Sequence, residues 1–306
     1  MHNYVFHVED QANTADGLDG KGLNRSLLVA VCREAMEAGP GSLADNFILE
    51  HGQWGVSLES AAAADFVGER PHRSPLMEVP AKLSVLAAAQ LGTIASVLED
   101  GFASDLGIVP VARSVIECSS TVSWLLDDEV TSKTRLTRVW LLRLITEGEG
   151  AHTSSVDAGR TGAMVGSATR VDQVQAAIVR DLGPGVEVRC SGWPKHWRIG
   201  AEALPGRGER VRLAVDRWFP GADGGVHYSQ ISRRSHLDVL VALALVDDHL
   251  VVRGGGDLGV VATALAFWAQ SWKTVTTYMG LPSEEFDRWL DSMLVAIGRR
   301  DLVGGA

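Results

Sequence analysis

Arg113, Glu117, Ser120 and Trp124 recur at intervals of four, three and four residues, which places them on one stripe of a helix. Arg135 and Arg138 share a face of the segment that follows, with Leu142 and Ile145 continuing it. Much later, Tyr228, Ser232 and His236 are spaced i, i+4, i+8 and stack along one side of a helix over about 12 Å. If the groups face one another, they combine an imidazole, a phenol, a hydroxyl, a carboxylate and several guanidinium groups. Those are the parts of a general acid–base site that also holds an anion. The expected assignment is His236, Tyr228 and Glu117 as the proton-moving groups. Arg113, Arg135, Arg138, Ser232 and Trp124 would bind the substrate, with no metal required.

The same spacing has a second reading. Val111, Val115, Cys118 and Val122 occupy the opposite stripe of the helix that carries Arg113, so that helix is expected to be buried all round. Arg113 and Glu117 would then need each other, because an unpaired buried charge costs several kcal/mol. A Tyr–Ser–His stripe can also be a hydrogen-bonded seam between helices. The chain would then be a non-catalytic binding or defence-associated helical protein.

The pattern Arg113-x-x-x-Glu117 with Trp124, then Arg135-x-x-Arg138, then Tyr228-x-x-x-Ser232-x-x-x-His236 resembles a group of uncharacterised all-helical proteins common in actinobacteria. The resemblance is confined to these short motifs. It implies an all-α fold and supports the choice of residues, and it brings no reaction with it.

Three other patterns in the chain match known motifs in part. Gly254, Gly256 and Gly259 form a Gly-x-Gly-x-x-Gly run, but a βαβ context and an acidic residue about 20 positions on are both missing. Glu69…His72 and Glu149…His152 match the Glu-x-x-His half of a di-iron site. The first contains Pro71 and the second is flanked by Gly148 and Gly150, so neither is expected on a regular helix. The doublets Asp127-Asp128 and Asp247-Asp248 partly match the aspartate-rich motifs of helical terpene synthases, where Mg²⁺ bridges carboxylates to a diphosphate. A Mg²⁺-dependent enzyme of that type is the third functional reading, and the only one that calls for a cofactor.

The elements that must position these residues are helices. Apolar periodicity predicts them over 26–38, 43–50, 57–67, 80–100, 110–128, 131–147, 167–182, 208–218, 226–247, 257–279 and 283–299. Gly39-Pro40-Gly41 is expected to stop the first, Pro80 and Pro110 to open the fourth and fifth, and glycines to break the chain between 147 and 161. Residues 183–206, rich in glycine and proline, read as an irregular excursion packed on the helices or acting as a lid. The fold class is therefore all-α, a large multi-helix bundle. A loose arm over 1–22 precedes a single helical domain over 23–306.

Composition sets the remaining bounds. The chain has 306 residues, 46% hydrophobic and 22% charged, an ordinary balance for a globular protein with a substantial core. Three cysteines, Cys32, Cys118 and Cys190, stand far apart and give no disulfide framework or zinc knuckle. The first residues lack a basic and apolar leader, and Val239–Val246, the longest strongly apolar run, is under half of the roughly 20 residues of a membrane span. A cytoplasmic protein that does not enter membranes is expected. A net charge of −10 disfavours nucleic acid as a partner of the whole surface. Arginine outnumbers lysine strongly, and with the abundant alanine, valine and glycine this suggests a GC-rich bacterial genome. The expected function is a small-molecule enzyme of bacterial specialised metabolism. Its nine tryptophans and long apolar helices are compatible with a homodimer.

Overall fold

The structure is a computed structural model and describes residues 25–47, 60–65, 75–99, 105–156, 161–220, 228–229, 231–232, 258–281 and 284–296. Helix accounts for about 82% of the interpretable residues, so the fold is all-α as expected. In chain order the helices are α1 (Arg25–Phe47), α2 (Ala61–Asp65), α3 (Pro75–Glu99), α4 (Asp105–Leu125), α5 (Ser132–Val156), α6 (Thr161–Leu182), α7 (Arg207–Trp218), α8 (Leu258–Met279) and α9 (Glu284–Ala296). The chain divides into two compact units.

The first unit draws on residues 1–72, 80–124 and 207–306. Its central element is α8, with 16 of its 22 residues buried, and α1, α2 and α9 pack against it. Trp268 is fully buried; it stacks on Trp272 at 6.0 Å and meets the edge of Trp289 at 5.9 Å. The polar tips of Trp289 and Tyr278 find carboxylates. Trp289 Nε1 donates to Glu34 Oε2 at 3.0 Å, and the Tyr278 hydroxyl donates to Asp65 Oδ2 at 2.8 Å. At the end of α8, Gly280 adopts φ 66°, while the Gly280 and Leu281 amides donate to the carbonyls of Thr277 and Thr276. That paired bonding closes a helix by way of a left-handed residue, which glycine adopts without steric cost.

The second unit draws on residues 73–79 and 125–206. In it α5 and α6 pack against each other, and Val139, Trp140, Leu141, Leu144 and Ile145 supply the buried side of α5. The expected irregular excursion is ordered. It forms a small antiparallel sheet of β1 (Val188–Arg189), β2 (Arg198–Ile199) and β3 (Glu202–Ala203), with a 3₁₀ turn at Pro194–His196. The turn, β2 and β3 all contact α5.

Several boundaries differ from expectation. α1 runs through Gly39-Pro40-Gly41 to Phe47 and absorbs the separate helix expected at 43–50. Proline in a helix interior costs about 3 kcal/mol, and the support of α8 against α1 is a tertiary term that propensity does not register. α3 and α4 begin five residues before Pro80 and Pro110, so each proline removes one early rung and does not open its helix. α6 begins at Thr161, before the expected 167. α5 continues past Glu147 to Val156, because Gly148 is a packing glycine: a β-carbon there would lie 2.5 Å from the ring of Trp197. Glu149 therefore stands on a regular helix after all. α3 is long and apolar enough to cross a membrane, a length the sequence reading did not find, and 44% of that stretch is buried within the molecule. The arm over 1–22 lies outside the described residues.

Candidate functional site: a shared carboxylate

One turn of α4 separates Arg113 from Glu117, and Arg113 Nε donates to Glu117 Oε1 at 2.6 Å. The side chains are only 11% and 18% exposed, so the pair is largely withdrawn from water. Tyr228 comes from 111 residues further on and donates its hydroxyl to the same Oε1 at 2.7 Å. Arg113 Nη2 reaches the Tyr228 oxygen at 3.4 Å, and its guanidinium sits 5.8 Å from the centre of the tyrosine ring, within cation–π range. The expected meeting of the Arg113–Glu117 stripe with Tyr228 is thus present.

The start of α7 completes the cluster with residues that the sequence reading missed. Arg207 Nε lies 3.6 Å from Glu117 Oε2, and its side chain is 64% exposed. Gly208 lets the backbone pass close to Tyr228, since a β-carbon there would lie 3.3 Å from the ring. Arg210 is close enough to feel the charges of Glu117, Arg207 and Cys118. A signal for Arg210 exists in the sequence: it precedes Val211, and Val211, Ala214 and Val215 form the buried stripe of α7.

The electrostatics follow from this packing. Burial pushes the Tyr228 phenol above its ordinary range, and the hydrogen bond to Glu117 pushes the same way. Tyr228 is therefore a hydrogen-bond donor at neutral pH, not a nucleophile. Burial pulls Arg113 down, but the hydrogen bond and charge of Glu117 outweigh it and raise its pKa. For Arg210 burial wins over the attraction of Glu117, and its pKa falls. Burial, then the Glu117 charge, holds the Cys118 thiol up at about 11, so Cys118 is inert at neutral pH.

The remaining expected site residues have different surroundings. Trp124 is buried at 5% exposure, and the Ser120 hydroxyl donates to the Ile116 carbonyl at 2.7 Å within α4. Ser232 is half-buried on a short helical stretch. His236 lies outside the described residues, as do Asp247-Asp248, Glu69…His72 and the first two glycines of the Gly-x-Gly-x-x-Gly run. Arg135 and Arg138 belong to the second unit. Arg135 Nη1 donates to the carbonyls of Asp127 and Val130 at 3.1 and 2.8 Å. Arg138 bridges two carboxylates, Asp127 Oδ2 at 3.2 Å and Glu202 Oε2 at 3.1 Å. Asp127 also accepts from the Glu129 amide at 3.1 Å. Among the described residues no three His, Cys, Asp or Glu side chains gather where they could hold a metal. Compared with known families, characterised proteins and solved structures, the chain matches none, and its chemistry must be read from its own geometry.

Proposed function

We propose that the first unit is a small-molecule enzyme, of the kind bacterial specialised metabolism uses, that holds an anionic or carbonyl-bearing substrate and moves a proton on it. The observation that carries this reading is the sharing of one Glu117 oxygen by Arg113 and Tyr228, while the other oxygen faces the exposed Arg207. Arg207 would meet an incoming anion first. The phenol of Tyr228 would donate to an oxygen of the substrate that gains negative charge, a role suited to a group that stays protonated. Glu117, released from the Tyr228 hydrogen bond, would take up a proton from the substrate, working with His236.

The test uses a thermal-shift screen of carboxylate, phosphate and carbonyl metabolites on the full chain, followed by turnover assays on the hits. A stabilising compound should lose its effect in Arg207→Ala, and its turnover should vanish in His236→Ala with the fold intact. Turnover that survives His236→Ala, or no stabilising compound at all, overturns the reading. The closure of the same network favours a second reading, in which the Arg113–Glu117–Tyr228 seam is structural and the protein binds a partner without chemistry. Tyr228→Phe would then lower stability and leave no ligand affinity to lose.

A further inference from the structure

Between Val188 and Ala201 the second unit carries Arg189, Lys195, His196 and Arg198 and no acidic residue. All four are exposed, and Trp193 in their midst is 60% exposed, the most open large apolar side chain among the described residues. This concentration stands on a chain whose net charge is −10. The sheet register sets Arg189 directly opposite Arg198, a like-charge cross-strand pair that works against the sheet. Glu187 relieves one of the two, bonding Arg189 at 2.7 and 2.9 Å. Lys195, His196 and Arg198 form no ion pair among the described residues.

The excursion is held firmly from beneath. Ile199, beside Arg198 on β2, is 1% exposed. Pro194 is buried, and the Trp197 ring lies against Gly148 while its Nε1 donates to the Gly192 carbonyl at 3.3 Å. The 3₁₀ turn thus fixes one tryptophan inward and leaves its neighbour Trp193 outward. An exposed indole on this turn, with the exposed Lys195 and Arg198 close to it in sequence, has the two elements that bind an unpaired strand: a surface for base stacking and charges for phosphates.

We propose that this excursion docks single-stranded nucleic acid, with a base stacked on Trp193 and phosphates held by Lys195 and Arg198. The sequence reading disfavoured nucleic acid for the surface as a whole, and the proposal concerns this patch alone. A thin, flexible strand suits it better than a membrane, because a planar anionic surface would also face the rest of an acidic protein. At physiological salt, charges beyond about 8 Å are screened, so a strand touching only the patch feels mainly the patch. The inference is independent of the reading of the first unit.

Fluorescence anisotropy of labelled oligo-dT and oligo-U with the full chain tests it, at about 50 mM and about 200 mM salt. Binding should weaken as salt rises, with a logarithmic slope of about −1.4 for two phosphates neutralised on a single strand. Trp193→Ala should weaken it roughly tenfold, Trp193→Phe should restore most of the loss, and Lys195→Glu with Arg198→Glu should abolish it. All three positions are exposed, and circular dichroism checks that the variants fold. No oligonucleotide binding at the lower salt overturns the proposal. So does equal loss of affinity in Trp193→Ala and Trp193→Phe, equal competition by polyglutamate, or tighter binding to phosphatidylserine vesicles than to either strand.

Discussion

Tyr228 donates to Glu117 Oε1 at 2.7 Å, the same oxygen that Arg113 Nε holds at 2.6 Å. The exposed Arg207 lies 3.6 Å from the second oxygen. A carboxylate offers about four acceptor positions, so the buried side of Glu117 is occupied while its outer oxygen retains capacity. This asymmetry gives the cluster its direction, with a hydrogen-bonded interior and an outer edge at the exposed Arg207.

The interior half should carry the stability. Glu117→Gln removes the counter-charge of Arg113 and Arg210 and should cost about 1–3 kcal/mol, below the usual figure for a fully buried pair because these groups keep some exposure. Tyr228→Phe keeps the ring against Arg113 and removes one hydrogen bond, worth about 1 kcal/mol. Combined, the two should fall short of additivity by at least about 0.5 kcal/mol. Arg207→Ala should change stability by under about 0.5 kcal/mol, as exposed pairs do. Urea denaturation of the four variants decides this, and an Arg207 effect as large as that of Glu117 would sink it.

Stability should decline on the alkaline side. Burial raises Cys118 from 9.0 to about 11, and Cys32 shifts in the same direction by the same cause. A group whose folded pKa is raised contributes stability that is full below the unfolded pKa and lost as pH climbs toward the folded one. The fall should therefore begin near pH 9 and steepen above pH 10, where unfolded Tyr228 would also ionise. Melting temperatures between pH 7 and pH 11 test it, with Cys118→Ser expected to flatten the first part of the fall. A profile in that variant identical to wild type counts against the assignment.

The three thiols should differ in reactivity. Cys32 is fully buried; Cys118 and Cys190 are both part-buried and burial raises both thiols, but the Glu117 charge adds to the rise of Cys118, whereas Gln175 Nε2, donating to the Cys190 sulfur at 3.2 Å, works against the rise of Cys190. An aromatic disulfide reagent at pH 8 should modify Cys190 first and leave the others until the chain unfolds. Peptide mapping after brief exposure shows the order, and early labelling of Cys32 is the contrary result.

Sequence periodicity located most helices because their apolar stripes are local. It also paired Arg113 with Glu117 and selected Tyr228, since helical spacing alone defines a shared stripe. It missed Arg207, whose relevance comes from packing against Glu117, ninety positions earlier, which no local pattern encodes, and Arg210, whose place beside the buried stripe of α7 was the one local signal. It read Gly39-Pro40-Gly41 and the glycines after Glu147 as stops, whereas both helices run on through them, and at Gly148 the missing β-carbon makes room for the ring of Trp197. It grouped Arg135 and Arg138 with the anion site by residue type, whereas the hydrogen bonds described for them close the turn after α4 and tie β3 to α5.

Asp127 separates the metal-dependent reading from a structural one. Its carboxylate accepts from Arg138 and from the Glu129 amide, so Asp127→Asn should lower the melting point without any Mg²⁺ present. Arg138→Ala should cost about 1–3 kcal/mol by leaving Asp127 and Glu202 without their shared cation, and Arg138→Lys should not restore it, because an ammonium cannot reproduce a forked bridge. Mg²⁺ with inorganic diphosphate should leave the melting point of the wild type unchanged. A stabilisation that Asp127→Asn and Asp128→Asn abolish would revive the terpene-synthase-like reading.

Gly148 and Gly150 give the sharpest contrast, since they stand two residues apart on α5. Alanine is favoured over glycine in a helix by up to about 1 kcal/mol, and a β-carbon on Gly150 would meet nothing within 4 Å. Gly150→Ala should therefore raise stability by roughly that amount. A β-carbon on Gly148 would stand 2.5 Å from the Trp197 ring and 3.1 Å from Pro194. Neither ring can bend away as a methionine would, so the overpacking penalty of about 1–3 kcal/mol exceeds the propensity gain. Gly148→Ala should be net destabilising and should loosen the turn that presents Trp193. Thermal melts of the two variants suffice to decide it. A rise in both would mean that Trp197 does not rest on α5, and the support inferred for the excursion would go with it.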